Sequence, residues 1–198
     1  MYTLHNYAVT TMECHEVGAV SVLAGGAGSD PPGRIQAPRA AGGVQRLQSV
    51  HPDSAFGSID VQQQPTATVA RATAARWRGA RATGWAAAYV VVDAAAAVGV
   101  EASDQEVTFV NCLEMGPGVE DAAFGRCKDI NDYMVTQPGY RSHVLRRRLD
   151  DDVPFGFVNI VRWASMESLA AARDQHFGEL ARDLPFAPRT SWCRPVPR

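Results

Sequence analysis

Between residues 107 and 196 the hydrophobic period switches between two and about 3.6 residues, in an order that few folds can satisfy. Residues 107–113, Val-Thr-Phe-Val-Asn-Cys-Leu, are rich in β-branched and aromatic side chains, as a strand prefers. Pro117 and Gly118 follow. Val119, Ala123, Phe124, Cys127, Ile130 and Met134 then recur at three- and four-residue spacing, which predicts an amphipathic helix opened by the proline. Gln137-Pro138-Gly139 ends it. Residues 140–148 and 155–163 read as two strands around a polar turn holding Asp150, Asp151, Asp152 and Pro154. Ser165 suits a helix N-cap, and Met166, Leu169, Ala170, Phe177 and Leu180 give a single helix its apolar stripe. Pro185 and Pro188 close that helix, and residues 189–196 form an edge strand, since they include Pro195. Strand, helix, two strands, helix, strand is an α+β, ferredoxin-like β-α-β-β-α-β arrangement with both helices on one face of an antiparallel sheet. The other face needs a cover. Either a second copy supplies it, making a homodimer, or the first half of the chain does.

That first half differs in character. Residues 1–103 hold seven acidic and seven basic groups and six aromatics, whereas residues 104–198 hold fourteen, twelve and ten. A glycine cluster at 25–33, the run Gln62-Gln63-Gln64-Pro65 and the Ala- and Arg-rich stretch 70–78 read as low-complexity sequence. The division predicts a poorly ordered or loosely structured N-terminal extension, 1–103, before a compact domain, 104–198, that folds without it. Pro31 and Pro32 stand where a phosphate-cradling loop needs a helix to begin, so the glycines carry no nucleotide signal. Nineteen basic against twenty-one acidic groups give a net charge of −2, which provides no field for nucleic acid or an anionic membrane. Four cysteines without a C-x-x-C pair give no zinc site and suit a reducing, cytoplasmic setting. Eighteen of the nineteen basic residues are arginine, the exception being Lys128, as in a GC-rich bacterial genome. The apolar stretch 85–100, interrupted by Asp93, is too short for a membrane span.

Alternation along the third strand points to a site. Val158 and Ile160 share one side, expected to pack under the helices. Phe155, Phe157, Asn159, Val161 and Trp163 share the other, and Val107, Phe109, Asn111 and Leu113 repeat that pattern on the first strand. These strands are antiparallel neighbours in a split βαβ sheet, so Asn111 and Asn159 should meet on an aromatic wall, placed by this reading on the helix-free face. The bland alternative is a pair of asparagines bonded to each other in a dimer core.

Three stretches carry a resemblance: residues 107–111; Tyr133-Met134-Val135-Thr136-Gln137-Pro138-Gly139-Tyr140; and Phe157-Val158-Asn159-Ile160-Val161-Arg162-Trp163-Ala164-Ser165. Over about half the chain, residues 106–196, the sequence resembles the antibiotic biosynthesis monooxygenase family of dimeric α+β barrels. The resemblance implies a homodimer and a cofactor-independent oxygenase, with no metal, that uses O2 to convert a polycyclic aromatic polyketide, an anthrone or phenol, to a quinone. It implies that Asn159 donates to the substrate's enolate oxygen and that Trp163 donates through its indole or stacks on the ring. Phe109, Asn111, Phe155 and Phe157 would line the pocket, and His143 or His176 would be the base. The tyrosine that quinone-forming members often carry on the second helix has no counterpart in Ser168-Leu169-Ala170. That leaves a non-catalytic ligand-binding protein of the same fold as the alternative. Haem degradation ranks lower, because Asn111 and His176 match but the second helix lacks a tryptophan.

Overall fold

A computed structural model describes residues 9–11, 17–23, 44–80, 85–98 and 104–195. The glycine cluster lies outside them. The second half follows the predicted order: β6 (Val107–Glu114), α2 (Glu120–Val135), β7 (Tyr140–Arg148), β8 (Phe155–Trp163), two short helices and β9 (Ala187–Pro195), with the strands ordered β9-β6-β8-β7. Gly139 has a φ of 86°, and a Cβ there would sit 2.5 Å from the Ser168 side chain. The Gln-Pro-Gly-Tyr turn is therefore a backbone requirement.

The expected single helix over 166–180 is two. The first, α3 (Met166–Ala172), is capped by Ser165, which exchanges hydrogen bonds with Ser168. The second, α4 (Gln175–Leu180), is capped by Asp174, whose carboxylate accepts from Phe177 N at 3.0 Å. An N-cap residue cannot stay helical itself, so Asp174 breaks the run, and Arg173 leaves it with ψ 54°.

The N-terminal segment is not the loose extension its composition suggests. It forms β1 (Val9–Thr11), β2 (Val17–Leu23), β3 (Gln45–Ser49), β4 (Ser58–Gln64), α1 (Ala67–Ala80) and β5 (Trp85–Ala97). Its sheet order β5-β2-β4-β3 repeats that of the second half, strand for strand. The two sheets join through β3–β9 and β5–β7 into a closed ring of eight strands, with β1 added alongside β5. The helix-free face thus meets the chain's own first half where a second copy was expected. The Ala- and Arg-rich stretch is the ordered helix α1, held by Arg71 on Asp150 and Arg78 on Asp152. The apolar stretch after residue 84 is the long strand β5. Among the described residues no helix is long and apolar enough to cross a membrane.

The expected faces of β8 are reversed. The barrel interior holds Leu47, Ile59, Val61 and Ala87 from the first half with Val110, Cys112, Val158 and Cys193 from the second, and Ile160 packs against them. Phe109, Val161 and Trp163 pack instead with Met134, Tyr140 and Leu169 beneath the helices. The first half brings its own rings, Phe56, Trp85 and Tyr89, into that interior, and Phe109 and Trp163 take the helical side. A bulge shifts the β6–β8 register between Leu113 and Glu114, pairing Glu114 with Phe155. The extra residue turns Phe155 away from Phe157 and into the barrel, 4.7 Å from Trp85 between ring centroids. Tyr89 donates to the Phe155 carbonyl at 3.0 Å, a buried bond between the halves.

Candidate functional site

A cavity of about 570 Å³ lies between the helical side of β9-β6-β8 and the helices α2, α3 and α4. Its volume suits a ligand of a few fused rings. Phe109, Asn111, Asn159 and Trp163 line it. Asn111 and Asn159 are direct cross-strand partners, as the spacing predicts. Asn111 Oδ1 accepts from the Thr190 hydroxyl at 2.8 Å across β9, so the two asparagines hold different partners. Trp163 meets the Tyr140 ring edge-on, with centroids 5.9 Å apart.

Four other candidates do not line the cavity. Phe155 is inside the barrel, as described. Phe157 is fully buried beneath α2, stacked on Phe124. His176 is on the exposed side of α4, its ring against Tyr133 at 4.7 Å. His143 stands one layer behind the wall, where it connects two groups. Its Nδ1 is 2.8 Å from the Tyr140 hydroxyl and its Nε2 is 3.0 Å from Asp93 Oδ2.

Among the residues that escaped the sequence reading are Asn131, Asp93 and Tyr140. Asn131 sits on the buried stripe of α2, between Cys127 and Met134. A polar side chain at a helix position reserved for apolar ones was its signal. Asp93 comes from β5, in the half to which no function was given, and its signal was being the lone acid in an apolar run. A bulge between Val91 and Asp93 re-aims the strand at this point. Burial pushes the Asp93 carboxyl up, but hydrogen bonds from His143 and Asn131 outweigh it and hold the group below its ordinary value.

This carboxylate orients a chain of amides. Ionised, Asp93 can only accept, so Asn131 turns its Nδ2 toward it at 3.2 Å. Asn131 Oδ1 then faces Asn159, which must present its own Nδ2, at 2.8 Å. Asn159 Oδ1 is left buried with no partner. A buried acceptor without a donor costs about 1–3 kcal/mol, so this oxygen is a place where a ligand hydroxyl gains. One amide hydrogen of Asn159 is thus committed to Asn131, and its oxygen is the unmet atom.

Burial pushes the Tyr140 hydroxyl well above its ordinary value, so it stays protonated near neutrality. The Ala95 carbonyl lies 3.0 Å from the same oxygen, so the one hydroxyl proton is shared between that acceptor and His143 Nδ1. Cys127 lines the cavity too, and burial pushes its thiol up to about 12, which removes it as a nucleophile near neutral pH. Among the described residues no group of three or more His, Cys, Asp or Glu side chains is placed to hold a metal ion.

No family model matches this chain, and no curated protein matches it. Solved structures do. A crystal structure of an anthrone oxidase-like protein aligns with a TM-score of 0.63 at 13% identity, over 96% of this chain and 95% of that one. A candidate monooxygenase from Fusobacterium nucleatum aligns with a TM-score of 0.60 at 11% identity, over 94% of each chain. A major regulator of staphylococcal pathogenesis aligns with a TM-score of 0.52 at 10% identity, over 79% of this chain and 86% of that one. At these identities the likeness is one of fold. It extends across both halves, and it is shared with oxygenase-like proteins and with a regulator.

Proposed function

We propose that this chain is a cofactor-independent monooxygenase that oxidises a planar polycyclic phenol of the anthrone type to a quinone with O2. The observation that carries the reading is a flat-walled apolar cavity in which a buried amide, Asn159, is oriented by a fixed network and left with one unmet acceptor. An anthrone that loses a proton becomes an electron-rich carbanion able to pass an electron to O2. One oxygen atom becomes the new carbonyl, and the other leaves as water with the two hydrogens of the oxidised carbon. The protein must bind the rings, take a proton and exclude water.

Asn159 Oδ1 accepts the substrate's hydroxyl and fixes the ring plane. Trp163 and Phe109 supply flat apolar surface. The Tyr140–His143–Asp93 array supplies the proton path. A proton reaching the Tyr140 oxygen releases that hydroxyl's own proton to His143 Nδ1, while Asp93 stabilises the imidazolium at Nε2. His143 therefore acts through Tyr140, since it does not line the cavity.

A ligand-binding protein without catalysis is the second reading. Leu169 favours it, because it lines the cavity where the resemblance leads one to look for a tyrosine. Turnover under isotopically heavy O2 separates the two. The oxygenase reading expects quinone carrying one heavy oxygen, in amounts well above a protein-free control. Quinone formation equal to that control overturns it.

A further inference from the structure

The cavity contains a cation that the mechanism above does not use. Arg173 lines it from the break between α3 and α4, with its guanidinium 4.7 Å above the centre of the Phe109 ring and 6.0 Å from that of Phe177. Several arginines of this chain face carboxylates, among them Arg148 on Glu120, Arg162 on Glu106 and Arg189 on Glu114, whereas Arg126 faces carbonyls. Among the described residues Arg173 has no ion pair. The adjacent Asp174 does not serve it, because that carboxylate is taken by Phe177 N and by the Tyr133 hydroxyl at 2.6 Å. Burial lowers the Arg173 pKa. Stacking on aromatic faces uses none of the five N–H donors, which stay open to solvent or to a ligand.

We propose that Arg173 is the specificity-determining residue of this cavity and that the ligand is a planar aromatic acid, whose carboxylate takes the guanidinium while its rings lie along Phe109 and Trp163. The inference rests on the cavity being a ligand site, and it names the ligand's charge. Arg173 is exposed to solvent at the rim of the cavity, which puts the carboxylate at the opening and the rings inside, toward Asn159. A guanidinium presents a planar fork that matches a carboxylate through two parallel hydrogen bonds, and a flat acid stacked beside Phe109 keeps both groups in one plane.

The test uses the full-length chain and two probes of one shape: an anthraquinone monocarboxylate and its neutral carboxamide. Binding is followed by quenching of tryptophan fluorescence, which Trp163 in the cavity wall should report. The wild-type protein is expected to bind the acid about tenfold more tightly than the amide, and added salt should narrow that gap. Arg173→Gln should bring the two affinities together by weakening the acid alone. Arg173→Lys, which keeps the charge and loses the fork, should retain part of the preference. Melting curves of both variants check that they fold. Equal wild-type affinities, a preference that survives in Arg173→Gln, or no binding of either probe overturns the proposal. Turnover of a neutral anthrone with no preference for the acid removes this inference and leaves the oxygenase reading. A preference for the acid without any turnover does the reverse.

Discussion

Replacing Asp93 by alanine tests whether the first half of the chain holds the site of the second. Asp93 Oδ2 is the acceptor for both His143 Nε2 at 3.0 Å and Asn131 Nδ2 at 3.2 Å. Both partners are 2% exposed, so neither finds water when the carboxylate is removed. Hydrogen bonds to a charged group contribute about 1.5–3 kcal/mol each, and breaking a buried ionic network from one side costs about 3–5 kcal/mol. The Asp93 side chain is itself 17% exposed, which screens the interaction and places the loss near the lower end, about 3 kcal/mol. That is a large part of a typical domain stability of about 5–15 kcal/mol. The sign of the pH dependence follows from the depressed carboxyl. Its folded value lies below the unfolded one, near 3.9, so its stabilisation is complete above about pH 4 and is lost as the pH falls through the folded value. Urea unfolding of wild type and Asp93→Ala should therefore show a gap of about 3 kcal/mol at pH 7 that narrows on acidification. A gap below about 1 kcal/mol at pH 7, or one that does not narrow below about pH 4, would refute the assigned network.

Other outcomes follow from the same structure. A chain shortened to residues 104–198 exposes Val110, Cys112, Phe155, Val158 and Cys193, so it should aggregate or melt without cooperativity; a soluble, cooperatively melting fragment would contradict the shared core. Because the strand ring closes within one chain, sedimentation at micromolar concentration should give one chain mass, 21.3 kDa, and a stable dimer would count against this closure. Tyr89→Phe leaves the Phe155 carbonyl unmet and should cost about 1–2 kcal/mol by urea unfolding, whereas no change would show that the bond between the halves is immaterial. Tyr140→Phe breaks the proton path and should lower kcat by about 10²-fold or more with KM little changed; equal effects on both would assign the tyrosine to binding alone.

The second half was legible in the sequence because its periods are clean. Val119, Ala123, Cys127 and Met134 announce α2, and the cross-strand partnership of Asn111 with Asn159 follows from antiparallel neighbours. What the pattern does not contain is which face of an alternating strand meets which layer. Val158 and Phe157 alternate equally well either way, and the side chains that the first half and α2 bring to each layer decide between them. The bulge that turns Phe155 inward is one extra residue opposite Glu114, which a period of two cannot show. The first half misled through composition. Alanine-rich β5 carries no strand period in its sequence, yet small side chains at Ala86, Ala87 and Ala88 are what the inside of a closed sheet and the helix above it tolerate. Asn131 and Asp93 were visible as polar interruptions of apolar runs. Their meaning came only when α2 and β5, from opposite halves, were placed side by side.

The central claim is catalytic, and oxygen uptake tests it most directly. The full-length protein, treated with chelator and supplied with an anthrone, should consume O2 faster than the anthrone does alone. Asn159→Ala, which removes the acceptor for the substrate hydroxyl, should bind the anthrone about tenfold more weakly and lose part of that acceleration. An uptake rate equal to spontaneous autoxidation, or the same acceleration in wild type and Asn159→Ala, would contradict the account.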